Sequence, residues 1–228
     1  MSAKSACWLS KPSLFSEEKI KENVLFQSDS AHPKRLILAF HGYGSDAYDL
    51  SSLAKELKFK DTLWAFVQAP FETQNNDKQR EWYSPFKSPN VPRTASFDLI
   101  KKITSQLSEL TQISFEKIFY LGFSQGGSMA LYAGLMNENP LGGILVLSGY
   151  LIKPIEILKH IRDKKVTTPI LCVHGSFDTV VYPFMFHDTV QSLKEDMGLK
   201  VKSFEYPIGH HVSYDTLERI KEFIEEHS

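Results

Sequence analysis

Short apolar runs alternate with amphipathic stretches along most of the chain. The clearest run is RLILAF at 35–40, apolar after its first residue, too short for a buried helix and suited to a strand covered on both faces. Further strands are predicted at 63–67, 117–121, 143–147, 170–173 and 201–206, with a first edge strand at 24–27. Between them apolar residues recur at helical spacing: Leu50, Leu53, Ala54 and Leu57 within 48–58, and Phe97, Ile100, Ile103, Leu107 and Leu110 within 96–112. Two more helices are predicted at 182–197 and 214–226, while 68–94 has no regular period and reads as irregular. Strands and helices in such alternation predict an α/β fold, a mostly parallel central sheet with helices on both faces.

The stretch 117–136, KIFYLGFSQGGSMALYAGLM, passes from strand to helix within a few residues. Glycines at 122, 126 and 127 stand where a Cβ would collide with a neighbouring strand or with the packed helix. Ser124, at the apex, is thereby expected in a strained backbone conformation with its hydroxyl over the end of the sheet. Gly122-Phe123-Ser124-Gln125-Gly126 is the G-x-S-x-G pattern of a nucleophile elbow, and its strand-before, helix-after context separates it from an ordinary tight connection.

In a parallel sheet, chemistry collects at the carboxyl ends of the strands. Those ends read His41-Gly42-Tyr43-Gly44-Ser45-Asp46 after 35–40, Ser148-Gly149-Tyr150-Leu151 after 143–147, His174-Gly175-Ser176-Phe177-Asp178 after 170–173, and Pro207-Ile208-Gly209-His210-His211 after 201–206. A serine hydroxyl needs an imidazole to take its proton, and the imidazole needs a carboxylate to fix its tautomer. The chain order Ser124, Asp178, His210 supplies all three, each just beyond a strand end. His211 stays an alternative base. His41 and His174 follow strands but sit in Gly-rich turns and are read as orienting loop backbone; His32, His160, His187 and His227 are read as solvated. Asp46 and Asp163 read as turn carboxylates, and Asp188 and Asp196 as helical.

Attack on an ester carbonyl creates an oxyanion, so two N–H donors are required near Ser124. The backbone N–H of Gln125, at the start of the post-elbow helix, is one candidate, and that of Tyr43, between Gly42 and Gly44, is the other.

Composition narrows the field. A chain of 228 residues with 42% hydrophobic residues is expected to form a single domain over 1–228, with 1–33 as an N-terminal extension and possible edge strand. Lys and Arg total 26 against 27 Asp and Glu, which gives no field for nucleic acid. Cys7 and Cys172 make no disulfide framework, and Cys172, within an apolar strand pattern, reads as inert core. The N-terminus has no apolar segment of signal-peptide length and no stretch approaches a membrane span, so a soluble, cytoplasmic protein is expected. No H-x-x-x-H or Cys/His spacing supports zinc, and no metal site is expected.

HGYGSDAYDL, GFSQGG, LSGYL, HGSFDTVV and YPIGHHV, in this order from about Pro33 onward, resemble the phospholipase/carboxylesterase family of α/β-hydrolases, which includes acyl-protein thioesterases and bacterial carboxylesterases. The resemblance implies an α/β-hydrolase fold without a large cap domain and hydrolysis of carboxylic ester or thioester bonds without metal or cofactor. Carried over by motif, it implies Ser124 as nucleophile, Asp178 as acid, His210 as base, and Tyr43 and Gln125 as oxyanion donors. This chain departs from the HGLGD of many members: HGYGS puts a phenol where leucine is usual and shifts the acid to Asp46. Two other readings stand beside an esterase: a serine peptidase of the same fold, which usually carries a further cap, and a catalytically silent binding protein, which would be expected to have lost a triad member.

The irregular segment carries Phe71, Trp82, Tyr83, Phe86 and Val91, more aromatic surface than a solvated loop needs. With Tyr43, Tyr150, Leu151 and Ile152 they are expected to wall an apolar groove beside Ser124. Such a groove would take short to medium acyl chains and offer surface for a homodimer or a peripheral membrane contact. The competing expectation is that Trp82 and Phe86 pin the loop to the sheet.

Overall fold

The computed structural model of the protein describes residues 23–73, 79–84 and 93–228. Seven strands form the central sheet: β1 (Val24–Ser28), β2 (Arg35–Phe40), β3 (Thr62–Val67), β6 (Ile118–Phe123), β7 (Gly143–Leu147), β8 (Ile170–Gly175) and β9 (Val201–Tyr206). Their order across the sheet is β1-β3-β2-β6-β7-β8-β9. Every pairing is parallel except β1 with β3 at the edge. β2, β3, β6, β7 and β8 are buried nearly throughout, which is why their sequences read as continuous apolar runs.

The two-residue period of a strand divides these runs between two cores. Leu36, Leu38, Phe40, Ala65, Tyr120, Val146 and Cys172 face one core, and Ile37, Ala39, Phe66, Leu121, Leu145 and Val173 face the other. Helices α2 (Arg93–Thr111), α3 (Gln125–Leu135), α4 (Pro154–Ile161) and α5 (Pro183–Gln191) bury side chains in the first core; α1 (Ser52–Leu57) and α6 (Tyr214–Glu226) bury theirs in the second. Cys172 is fully enclosed in the first, and burial raises its thiol to about 12, so it carries no thiolate at neutral pH.

Several expected boundaries move. The helix expected at 48–58 is divided into a 3-10 turn at Asp49–Ser51 and a short α1, ended by Lys58 in the left-handed region at φ 52°. α2 begins at Arg93, inside the stretch expected to be irregular, and Leu110 stays exposed instead of closing the apolar face. That stretch also holds a two-stranded hairpin, β4 (Phe71–Glu72) against β5 (Arg80–Glu81). The helix expected at 182–197 closes with a π turn at Ser192–Asp196. α4 is absent from the sequence reading, although Pro154 at its first position, with Ile157 and Ile161 one turn apart in the core, is a helix signal. α6 matches its expected span; the Ser213 and Thr216 side chains each accept the other's backbone N–H, closing a capping box at its start.

Candidate active site

Ser124 stands between β6 and α3 with φ 54° and ψ −121°, outside the regions that a side chain ordinarily allows. Its surroundings hold it there. Its N–H donates to Leu147 O at 2.8 Å, and its carbonyl accepts the Ser128 N–H at 3.1 Å as α3 begins. The turn is so tight that a Cβ on Gly122 would lie 2.1 Å from Gly126 O, and one on Gly126 would lie 2.0 Å from Phe40 O. Gln125 is the first residue of α3, so its N–H has no acceptor within the helix and lies at the positive end of the dipole.

The turn after β2 lies against the elbow: a Cβ built on Gly42 would be 3.6 Å from Ser124 Cβ. Tyr43 is at its tip, with 41% of its surface exposed. Ser45 N–H closes the turn onto Gly42 O at 3.3 Å, and the hairpin clamps it from outside, with Gly44 N–H donating to Arg80 O at 2.9 Å and Arg80 N–H to Ser45 O at 3.0 Å. His41 is buried beneath. Its Nδ1–H donates to Gly42 O at 2.8 Å and its Nε2 accepts the Ala69 N–H at 3.1 Å, an arrangement that requires the neutral ring. Burial lowers its pKa in the same sense.

Asp178 and His210 are brought together by the parallel pairing of β8 with β9, which runs to Gly175 opposite Tyr206. Beyond the strands, Ser176 N–H donates to Tyr206 O at 2.7 Å and Phe177 N–H to Ile208 O at 3.0 Å, which ties the two loops to each other. His210 Nδ1 is 2.6 Å from Asp178 Oδ2. Asp178 Oδ1 accepts the N–H groups of Val180 and Val181, each at 2.9 Å. Burial alone would push the Asp178 carboxyl up, but these hydrogen bonds outweigh it and hold the group below the usual carboxylate range. The His210 ring also rests on Phe123, the residue before Ser124, with centroids 4.7 Å apart. His211, one position further on, is exposed and lines the same groove as His210.

His174 occupies the interior side of the same carboxylate. Its Nε2 is 2.9 Å from Val181 O and 3.6 Å from Asp178 Oδ2, and its ring stacks on Phe186 at 5.1 Å. Burial lowers its pKa, so it braces the Asp178 loop as a neutral donor. Both His41 and His174 thus contact loop backbone.

The aromatic residues expected to wall a groove separate into three groups. Tyr43 is exposed, and Phe71, Tyr150 and Leu151 are half-buried, the last two packed on the first core. Phe86 and Val91 lie outside the described residues. Trp82 and Tyr83 are corrected: both are core. Trp82 is fully buried, edge-on to Phe40 at 5.3 Å, with its indole N–H donating to His41 O at 2.8 Å, so it pins the segment to the sheet. Tyr83 is 3% exposed, with Arg93 over its ring. A groove of mixed lining and an exposed apolar cluster adjoin the site. The groove, of about 260 Å³, lies against Phe123 and His210, lined also by Leu50, Leu53, Val212, Asp49 and Glu56. Phe177, Val180, Tyr182 and Phe184 are exposed around Asp178, with Tyr182 stacked on Phe184. Among the described residues no helix is long and apolar enough to cross a membrane.

The sequence reading missed the side chain of Gln125. Its Oε1 accepts the Trp82 N–H at 2.8 Å and its Nε2 donates to Tyr83 O at 2.8 Å. A signal was present: this is the one amide in a helix whose other residues are apolar, small or hydroxylic and which is buried from end to end.

The family model described as phospholipase/carboxylesterase matches residues 21–228. Carboxylesterase SOBER1 of Arabidopsis thaliana is 30% identical over 208 residues, covering 84% of this chain and 90% of that one. Acyl-protein thioesterase 1 of Neurospora crassa is 34% identical over 117 residues, 50% of this chain and 47% of that one. Among solved structures, that of esterase PE8 superposes with a TM-score of 0.78 at 27% identity, covering 88% of this chain and 96% of that one.

Proposed function

We propose that this chain, which belongs to the phospholipase/carboxylesterase family and is a hydrolase acting on esters, works through Ser124, His210 and Asp178 by way of an acyl-enzyme. What carries the reading is the 2.6 Å contact of His210 Nδ1 with the buried Asp178 carboxylate, in a ring that rests on the residue next to Ser124. Asp178 accepts a hydrogen bond from Nδ1–H, which keeps the proton on Nδ1 and leaves Nε2 as the lone-pair nitrogen. Nε2 takes the Ser124 proton as Oγ bonds to the substrate carbonyl carbon, and the displaced π electrons become an oxyanion. The N–H groups of Tyr43 and Gln125 stabilise it, a contribution of about 3 to 4 kcal/mol for each well-placed donor. Collapse breaks the bond to the alcohol or thiol, which receives the proton from the imidazolium. Water, deprotonated by the same nitrogen, then releases the carboxylic acid and restores Ser124.

The substrates are carboxylic esters or thioesters of short to medium acyl chains. The exposed Phe177, Val180, Tyr182 and Phe184 beside Asp178, with Tyr43 at the turn, give apolar surface next to the site that a purely polar substrate would not use. Exposure to a fluorophosphonate followed by intact-mass measurement tests the mechanism. One adduct is expected, at Ser124, with none in Ser124→Ala; an adduct on another serine, or turnover by Ser124→Ala, would overturn it.

A further inference from the structure

Segment 80–83 is held between the two parts of the site that carry the oxyanion donors. On one side are the bonds to the turn after β2: Trp82 Nε1–H to His41 O at 2.8 Å, Gly44 N–H to Arg80 O at 2.9 Å, and Arg80 N–H to Ser45 O at 3.0 Å. They bracket Tyr43 from two residues before to two residues after. On the other side is the Gln125 amide, bonded at 2.8 Å to both the Trp82 N–H and the Tyr83 carbonyl. Ser96 Oγ adds a bond to Trp82 O from α2 at 2.5 Å.

We propose that the Gln125 side chain is a positioning residue that fixes the Tyr43 N–H relative to its own, so that one residue supplies one oxyanion donor and sets the place of the other through Trp82. The inference rests on the serine-hydrolase reading above. Gln125 is 94% buried, and an amide so placed costs free energy unless both of its ends are bonded. An apolar residue of the same length would fill the space at less risk. The amide, by contrast, is satisfied at both ends only where an N–H and a carbonyl lie side by side, as Trp82 N–H and Tyr83 O do, so it favours this register of segment 80–83. That register carries the indole N–H to His41 O and Arg80 to Gly44 and Ser45. Two donors on separate loops stabilise an oxyanion only if their spacing is held to a fraction of an ångström, because displacement by about 1 Å can cost about 100-fold in rate.

A purely structural amide would change stability and leave the chemistry of the folded enzyme alone. The test therefore separates kcat from KM, measured on one p-nitrophenyl ester well below the melting temperature of each variant. Gln125→Met keeps length and loses both bonds; Trp82→Phe keeps an aromatic ring and the backbone N–H, and loses the bond to His41 together with part of the buried indole volume. Each is expected to lower kcat by about 10- to 100-fold with KM within about threefold, and to weaken a trifluoromethyl ketone, which forms the oxyanion, by the same factor. The double variant should be no worse than the worse single one, since both act through one connection. The positioning role is overturned if kcat of the folded variants stays within twofold of wild type, if the loss falls in KM, or if the two losses multiply. Should Gln125→Met not fold, Trp82→Phe decides by the same readings. Fluorophosphonate labelling of the wild type keeps the two levels apart: no adduct at Ser124 defeats the serine-hydrolase reading, whereas an adduct with unchanged kcat in the variants defeats the positioning role alone.

Discussion

His210 and Asp178, 32 residues apart in the chain, meet through Nδ1 and Oδ2 at 2.6 Å, and the other oxygen of the same carboxylate is filled by two backbone N–H groups. The carboxylate is therefore fixed in place before the imidazole reaches it, and its depressed pKa keeps it ionised at neutral pH. Asp178→Asn preserves the shape but presents an amide that can donate to Nδ1 and so reverses the tautomer. Its kcat should fall by about four orders of magnitude with KM little changed. Steady-state kinetics would show this, and a loss below tenfold would remove Asp178 from the proposed triad.

The two adjacent histidines should separate cleanly. His210→Ala is expected to lose several orders of magnitude in kcat/KM, because among the described residues no other base touches Asp178 from the open side. His211, exposed and bonded through its backbone to Gly209 O, should tolerate alanine within about threefold. The reverse ranking in the same assay would assign the base to His211.

Stability should fall on mild acidification because His41 and His174 are held neutral. Burial is the main cause in both; Asp46, Asp49 and Arg80 act on the first and Asp178, His210 and Glu205 on the second. Each folded-state pKa lies below its unfolded value of about 6.5, so the unfolded chain binds more protons as pH drops past that value. The contribution is complete above about pH 6.5 and is lost as pH falls through the lower folded values. The melting temperature followed by circular dichroism should be level from pH 8 to 7 and decline below 6.5. His174→Gln, whose amide can still donate to Val181 O, should melt lower at pH 7.5 but decline less steeply. A profile level down to pH 5, or an unchanged slope in the variant, would contradict this.

Acyl-chain preference and stability should respond to different aromatic residues. Along p-nitrophenyl esters from acetate upward, kcat/KM is expected to rise by up to about fourfold per methylene, the equivalent of about 0.8 kcal/mol, until the apolar surface ends. Tyr43→Ala, at the exposed tip of the turn, should flatten the rise. Trp82→Ala, in the core, should instead cost about 3 to 5 kcal/mol of unfolding free energy in a urea titration. A monotonic fall from acetate onward would refute an acyl groove.

Much of this protein is determined by neighbouring residues alone. RLILAF, GILVL and VKSFEY each carry the two-residue period or continuous apolarity of their strands, and their observed spans match. GFSQGG shows the elbow because glycines are required wherever backbones approach within a Cβ radius, inside the elbow itself at Gly122 and against β2 at Gly126. The order Ser124, Asp178, His210 follows from the same strand ends. What the chain could not show locally is where a side chain goes when its partner is far along the sequence. Trp82 and Phe71 belong to one aromatic-rich segment, yet Trp82 is drawn into the core by Gln125, 43 residues away, and by His41, 41 residues away, while Phe71 remains half-buried on the hairpin. The antiparallel edge of β1, the clamp of Arg80 on the turn and the split of the helix at 48–58 were likewise decided by packing. Periodicity records which face of an element is apolar; only the assembled sheet decides what that face meets.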